Sequence, residues 1–167
     1  MKKLFAILFV ACCISSASAV SYKGYVDTST GLVVSTDEDL CSLWGVSTSH
    51  GIQIIDGLFV GAGLELALAS EIDDYEDVYF LGAMFSEARY NFLRKKKVSP
   101  FVGLRLGAGY DAICEDFAFY TCPLMAGCTF NFTKKFGLDV GLQWNVYTCD
   151  AGDDQSHSIA IKLGIHF

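Results

Sequence analysis

The stretch Leu58–Ser70, LFVGAGLELALAS, alternates between two kinds of side chain with a period of two. Its even-numbered positions from Leu58 to Leu68 are all apolar, whereas its odd-numbered positions carry mostly small residues and one carboxylate, Glu65. Successive side chains of a β-strand point to opposite faces, so this alternation predicts a strand. A helix is disfavoured, because repeated glycine destabilises it. The predicted strand therefore has one apolar face and one face of small residues around a charge.

The same pattern recurs along the chain. Val98–Tyr110 (VSPFVGLRLGAGY), Phe136–Tyr147 and Ile159–Phe167 each place apolar residues on one face and glycine with a charged residue on the other. Four further segments are less regular but compatible with strands: Tyr22–Val34, Cys41–Gln53, Asp77–Asn91 and Phe117–Asn131. The chain is therefore predicted to be all-β, with eight strands.

The predicted strands are long, most of them spanning 10 to 14 residues. Strands of soluble proteins average about 5–6 residues, whereas a tilted strand that crosses a membrane needs about 9–11. The predicted connections alternate in length. The short ones are Ile54–Asp56, Leu93–Lys97 and Thr133–Lys135, and the longer ones are Ser35–Leu40, Glu71–Glu76, Asp111–Asp116 and Cys149–Gln155. Tight turns at one end and longer loops at the other are typical of an up-and-down transmembrane barrel.

Charge separates between the two sets of connections. The longer connections and their rims hold carboxylates and no lysine or arginine: Asp37, Glu38, Asp39, Glu71, Asp73, Asp74, Glu76, Asp77, Asp111, Glu115, Asp116, Asp150, Asp153 and Asp154. The short turns hold Arg94, Lys95, Lys96, Lys97, Lys134 and Lys135. Aromatic residues near strand ends suit the girdles of a membrane barrel: Tyr22, Trp44, Tyr75, Tyr79, Tyr90, Tyr110, Phe136, Tyr147 and Phe167.

The N-terminal stretch has the organisation of a secretory signal peptide. Lys2 and Lys3 precede the apolar run Leu4–Ile14, and Ala17–Ala19 has the A-x-A shape of a cleavage site. The sequence thus predicts a signal peptide over 1–19 and one domain over 20–167. A second interpretation is a lipoprotein signal, because Ala11 precedes Cys12. Cleavage takes the formal net charge from −7 to −9, which argues against a nucleic-acid partner.

Five cysteines follow the predicted cleavage site: Cys41, Cys114, Cys122, Cys128 and Cys149. An odd number cannot pair completely within one chain, and the spacing fits neither a zinc site nor a CxxC motif. We expect free thiols that behave as small apolar side chains. A Cys114–Cys122 or Cys41–Cys149 disulfide is the alternative.

The inward face of such a barrel would collect most of the charged residues of the strands. These are Glu65, Glu87, Arg89, Arg105, Asp139, Gln143, Lys162 and His166. An unpaired buried charge costs several kcal/mol, and side chains just fill the interior of an eight-stranded barrel. The sequence therefore predicts an ion-pair network that plugs the lumen, with no cofactor. A catalytic carboxylate pair or a proton path is the alternative use of these charges, although nothing in the sequence indicates substrate access.

Two other groups of residues are candidates for chemistry. The first would serve a lipid-A-modifying hydrolase or acyltransferase: Ser47, Ser49 and His50, or Ser156, His157 and Ser158. Adjacent strand residues point to opposite faces, so we expect rim residues instead of nucleophile–base pairs. The second group offers oxygen ligands for Ca²⁺ or Mg²⁺, at Asp73, Asp74, Asp150, Asp153 and Asp154. Neither acidic cluster has EF-hand spacing, and a solvated anionic surface is the alternative.

Several stretches carry a resemblance to a known class of protein. They are Tyr22–Asp27 (YKGYVD), Ser47–Gly51 (STSHG), Ala88–Leu93 (ARYNFL) with the following Val98–Tyr110, and the C-terminal IAIKLGIHF. The chain resembles the small eight-stranded outer-membrane β-barrels, and most closely the single-domain barrel proteins of Bacteroides-type bacteria. The resemblance covers residues 20–167.

The resemblance implies a location and partners. We expect the protein in the cell outer membrane, in contact with its lipids and lipopolysaccharide, with Phe167 read by the barrel-insertion machinery. The expected role is non-enzymatic, in envelope integrity or in contact with an extracellular partner through acidic loops. The rival functions are a lipid-A-modifying enzyme and a small ligand-binding, lipocalin-like secreted barrel.

Overall fold

The described part of the chain folds into β-strands. The computed structural model describes residues 21–34, 40–55, 57–71, 78–93, 96–112, 116–133, 135–149 and 154–167. The strands are β1 (Ser21–Val34), β2 (Leu40–Ile55), β3 (Leu58–Glu71), β4 (Val78–Asn91), β5 (Val98–Asp111), β6 (Asp116–Asn131), β7 (Gly137–Cys149) and β8 (Asp154–His166). No helix among these residues is long and apolar enough to cross a membrane. The predicted signal peptide lies outside the described residues.

The strands close into a barrel. Each strand pairs antiparallel with the next, and β8 pairs with β1 from Tyr25↔His166 to Val34↔His157. Phe167 continues this pairing, because its backbone N–H donates to the Gly24 carbonyl at 3.0 Å and its carbonyl accepts from the Gly24 N–H at 2.8 Å. The prediction of an all-β, eight-stranded, antiparallel up-and-down barrel is confirmed. Closure leaves no sheet edge to recruit another strand.

The strands are longer than the sequence pattern predicted. β8 begins at Asp154, ahead of the predicted Ile159, because pairing continues up to Cys149↔Asp154. Residues 112–115 and 150–153 therefore form connections of four residues, no longer than 92–97 and 132–136. The predicted strict alternation of short and long connections is thus wrong. The alternation of charge remains, and we call the two ends the loop end (35–39, 72–77, 112–115, 150–153) and the turn end (56–57, 92–97, 132–136).

The two faces of the sheet differ as the alternation predicted. In β3, Leu64, Leu66 and Leu68 are exposed on the outer wall, whereas Phe59 and Glu65 are buried inside. Large apolar side chains are exposed on all eight strands. Soluble monomers seldom expose contiguous apolar patches larger than a few hundred Å². The outer wall therefore needs an apolar environment around it.

Most predicted girdle residues lie on the outer wall, but two do not. Tyr22, Trp44, Tyr90, Tyr110, Phe136 and Phe167 are exposed. Tyr147 is instead buried in the lumen, with its ring centroid 5.0 Å from that of Tyr120, and Tyr79 packs against the interior. Both stand at odd-numbered positions, which face inward in β4 and β7. Tyr75 lies outside the described residues.

Glycines on the inward face let neighbouring groups approach. A Cβ built on Gly107 would lie 1.9 Å from the Met84 carbonyl oxygen on β4. A Cβ on Gly63 would lie 2.6 Å from the Phe85 ring. The small residues of the alternating pattern thus make room for the strand contacts and for the large side chains that fill the lumen.

Candidate functional site

The structure places every predicted lumen residue inside the barrel. Glu65, Glu87, Arg89, Arg105, Asp139, Gln143, Lys162 and His166 are each at most 3 % exposed. They come from β3, β4, β5, β7 and β8, so the closed topology brings them together.

Arg105 is the centre of the network. Its Nε donates to Glu87 Oε2 at 3.1 Å, its Nη1 to Glu65 Oε2 at 2.8 Å, and its Nη2 lies 3.4 Å from Asp27 Oδ2. Its guanidinium carbon also stands 4.3 Å from the centroid of the Phe85 ring. One guanidinium thus binds carboxylates from three strands, which its planar array of donors permits.

Arg89 forms a second cluster, on the side of the turn end. Its Nε lies 3.1 Å from Glu87 Oε1, and its Nη1 lies 3.6 Å from Asp139 Oδ2. The guanidinium carbon is 3.9 Å from the centroid of the Tyr25 ring. Asp139 also contacts His166 Nδ1 at 3.1 Å. Glu87 binds both arginines and so joins the two clusters into one network.

Asp27 is a further member of the network, which the sequence pattern did not predict. Lys162 Nζ lies 2.6 Å from Asp27 Oδ2 and 3.1 Å from the sulfur of Met125. The network therefore joins four of the five buried carboxylates of the described chain to two arginines, one lysine and His166, and the fifth, Asp111, lies nearer the loop end. Asp27 lies in β1, where small polar residues occur on both faces and hide the alternation. The interior is a plug of paired charges, further bonded by the Tyr120 hydroxyl, which donates to Glu65 Oε2 at 3.1 Å.

Toward the loop end the lumen becomes mostly apolar, although Asp111, Ser156 and Ser158 are also buried there. Val33, Cys41, Leu43, Ala69, Leu81, Ala118, Tyr147 and Cys149 are buried there. The space between Leu43, Glu65 and Tyr147 has no volume for a water molecule. Cys41, Cys122, Cys128 and Cys149 carry free thiols, so a Cys41–Cys149 disulfide is not formed. Cys114 lies outside the described residues.

At the turn end the lumen widens into a cavity of about 1010 Å³, here called the basic mouth. Its lining includes Lys23, Lys96, Lys97, Lys135, Asn91 and Asn131. His166 lies at its inner side, and Tyr22, Phe132 and Phe167 line it toward the outer wall. The basic mouth is thus polar inside and aromatic at its rim.

The serines named as candidate nucleophiles do not meet the histidines next to them. Ser47 and Ser49 are buried in the lumen, whereas His50 lies on the outer wall. Ser156 and Ser158 are likewise buried, and His157 stacks on Trp144 with ring centroids 6.2 Å apart. The opposite directions of adjacent strand residues produce this separation, as the sequence predicted.

His50 instead has two partners on the outer wall that the sequence pattern did not predict. Its Nε2 lies 2.9 Å from Thr48 Oγ1, two residues earlier on the same face, and its Nδ1 lies 2.5 Å from the Tyr22 hydroxyl. Thr48 Oγ1 donates to the Tyr25 carbonyl at 3.2 Å. Because the Thr48 hydroxyl donates its proton to Tyr25, its oxygen accepts the Nε2–H of His50. The other ring nitrogen, Nδ1, then accepts the proton of the Tyr22 hydroxyl. In this arrangement the Thr48 hydroxyl proton points to the Tyr25 carbonyl and not to His50.

The proposed cation ligands cannot be placed. Asp73, Asp74, Asp150 and Asp153 lie outside the described residues, as does the side chain of Asp154. Within the described ranges, no group of three or more His, Cys, Asp or Glu side chains could hold a metal ion.

Comparison with known proteins shows a shared fold. No family model and no curated protein matches the chain. Neisserial surface protein A is similar in structure, with a TM-score of 0.68 and 16% identity over 88% of this chain and 97% of that chain.

Two further solved structures share the architecture. The outer membrane enzyme PagL has a TM-score of 0.57 and 12% identity over 83% of this chain and 97% of that chain. Ail, the attachment invasion locus protein of Yersinia pestis, has a TM-score of 0.53 and 11% identity over 87% and 97%. At these identities the likeness concerns the fold, and function must be argued from the residues of this chain.

Proposed function

We propose that this chain is an exported, integral outer-membrane barrel with a filled lumen, acting in envelope integrity or in surface contact. The observation that carries the proposal is a closed barrel whose outer wall is apolar on all eight strands while its charges are paired inside. Strands of 13 to 16 residues exceed the roughly 9–11 that a tilted strand needs to cross a bilayer. A closed barrel also satisfies every backbone group without an edge, as hydrocarbon demands.

The orientation of the barrel follows from where its ends lie. β1 begins and β8 ends at the turn end, so a chain exported through residues 1–19 would keep the turn end in the periplasm. The acidic connections would then face outward, where divalent ions or a cationic partner could bind them. Phe167 would be the residue read by the insertion machinery. The likeness to Bacteroides-type barrel proteins, which rests on YKGYVD and ARYNFL, is part of this proposal.

The structure argues against a pore in this state. The ion-pair network occupies the middle of the lumen, and the apolar layer beyond it leaves no room for water between Leu43 and Tyr147. A role that depends on solute passage would require this network to rearrange. A role at the membrane surface does not.

A gel of the outer-membrane fraction tests the proposal. We expect the protein in that fraction, and we expect unboiled samples to migrate differently from boiled ones in SDS, because the paired barrel resists the detergent. A signal-free chain refolded in detergent should show the same shift. Recovery of the protein in the periplasm or medium, soluble without detergent and with no shift on boiling, would overturn the membrane proposal and favour the lipocalin-like alternative.

The enzyme alternative has its own test. Although PagL is an outer membrane enzyme with a similar fold, the hydroxyl of Thr48 donates away from His50. We therefore expect purified protein to leave the masses of lipid A and of phospholipids unchanged. His50→Ala should give the same spectra as the unmodified chain. A deacylated or acylated product that disappears in His50→Ala would show that the outer-wall histidine is catalytic.

A further inference from the structure

The basic mouth has a strong excess of positive charge. Lys23 comes from β1, Lys96 and Lys97 directly precede β5, and Lys135 precedes β7. Lys96, Lys97 and Lys135 are exposed, and none of them forms an ion pair with another described residue. Arg94, Lys95 and Lys134 belong to the same turns in the sequence. Among the described residues that line the basic mouth, none is an aspartate or a glutamate.

Lys96, Lys97 and Lys135 take no part in the ion pairs among the described residues that fill the barrel interior. The inner boundary of the basic mouth is His166, which already contacts Asp139. The Asn131 side chain donates to the Lys96 carbonyl at 3.0 Å and so fixes the backbone of the turn, leaving the ammonium group unpaired among described residues. Lys96, Lys97 and Lys135 are thus available to an anion that enters from the turn end.

The lining of the basic mouth reaches the outer wall. Tyr22, Phe132 and Phe167 line the cavity, and all three are also exposed on the outer surface. Aromatic side chains at the end of a membrane barrel lie at the level of lipid headgroups. A purely aqueous site would have a polar rim, whereas this cavity passes from ammonium groups to aromatic rings. A molecule with a phosphate beside hydrocarbon matches both parts.

We propose that the basic mouth binds the phosphate headgroup of an anionic phospholipid from the inner leaflet. The phosphate would lie among Lys96, Lys97 and Lys135, and the glycerol and acyl portion would leave across the aromatic rim. Lysine binds phosphate as a mobile point charge, so the site needs no fixed fork of donors. This inference rests on the proposed membrane location, because a lipid could reach the rim only from a surrounding bilayer.

Short-chain lipids allow a direct binding test. The full mature chain, folded in neutral detergent and verified by its shift on boiling, would be titrated calorimetrically with dihexanoyl phosphatidylglycerol, dihexanoyl phosphatidylcholine or inorganic phosphate. We expect saturable binding of phosphatidylglycerol, at least about tenfold weaker binding of phosphatidylcholine, and weak binding of inorganic phosphate. Basic residues near an anionic lipid surface contribute about fivefold each to binding.

Matched variants separate charge from structure. The triple variant K96Q/K97Q/K135Q should bind phosphatidylglycerol at least about tenfold more weakly, whereas K96R/K97R/K135R should bind nearly as well as the unmodified chain. If the glutamine variant binds phosphatidylglycerol as tightly as the unmodified chain, the proposal is overturned. Binding of inorganic phosphate as tight as that of the lipid would also overturn it, in favour of an aqueous phosphate site. If the unmodified chain shows no gel shift on boiling, the proposed membrane location is contradicted. Failure of the membrane proposal is thus distinguishable from failure of the lipid-binding proposal.

Discussion

Replacing Arg105 with alanine is expected to lower the free energy of unfolding by about 3–5 kcal/mol, the cost of removing one partner from a buried ionic network. Asp27, Glu65 and Glu87 all lie within 3.4 Å of this guanidinium, and each is almost fully buried. Without Arg105, three carboxylates share the remaining cations in a site closed to water. Guanidinium unfolding in detergent, followed by tryptophan fluorescence, measures the change.

Two further variants show whether the charge is responsible. Lys135→Ala removes an exposed cation and should change the free energy of unfolding by less than about 0.5 kcal/mol. Combining Arg105→Met with Glu65→Gln should recover part of the loss, because it removes a buried charge along with its partner. If Arg105→Ala costs no more than Lys135→Ala, the network does not stabilise the folded barrel.

Placing an arginine on the outer wall should be almost as damaging if a bilayer surrounds the protein. Leu66 is 58% exposed at the middle of β3. An arginine at the midplane of a membrane barrel costs about 2–4 kcal/mol, whereas near the interface it costs about 0–1 kcal/mol. We therefore expect Leu66→Arg to lower the free energy of unfolding by about 2–4 kcal/mol in phospholipid vesicles, measured by reversible guanidinium unfolding.

The control for depth is Val34→Arg, an exposed outward position at the loop end of β1. It should cost about 0–1 kcal/mol under the same conditions. For a barrel in water, both substitutions would replace an exposed apolar residue with a charge and would change stability by less than about 0.5 kcal/mol. Equal, small effects at Leu66 and Val34 would therefore contradict a membrane location.

The strands could be predicted because alternation is a local signal. In β3 and in β5 the sequence of the strand alone shows which residues face the lumen. Glu65 and Arg105 are buried in the lumen, as this pattern predicted. The ends of the strands are harder to predict, because they depend on the neighbouring strand. β8 extends to Asp154 because Cys149 of β7 lies opposite and pairs with it. Asp27 could not be assigned from β1 alone, where Thr28, Ser29 and Thr30 give no clear apolar face.

The hydrogen bonds of the outer wall could likewise be predicted only in part from the sequence. Thr48 could have been found as the partner of His50, because residues two apart on a strand share a face. Tyr22 could not, because its contact with His50 depends on the register that pairs Tyr22 with Ile52 in β2. The cavity at the turn end likewise needs two separate turns, the start of β1 and the end of β8 in one place. Sequence revealed its charge but not its shape.

Pairing of the last strand with the first has a consequence for quality control of newly made protein. β8 supplies Lys162, the partner of Asp27, and His166, a partner of Asp139. A chain that lacks β8 would lose both of these partners and would leave β1 and β7 as open edges. Such fragments would expose unpaired strands that other chains can pair with. Closure of the barrel and completion of its ion-pair network depend on the same strand, so a quality-control factor that recognises open edges would also reject chains with an unfinished network.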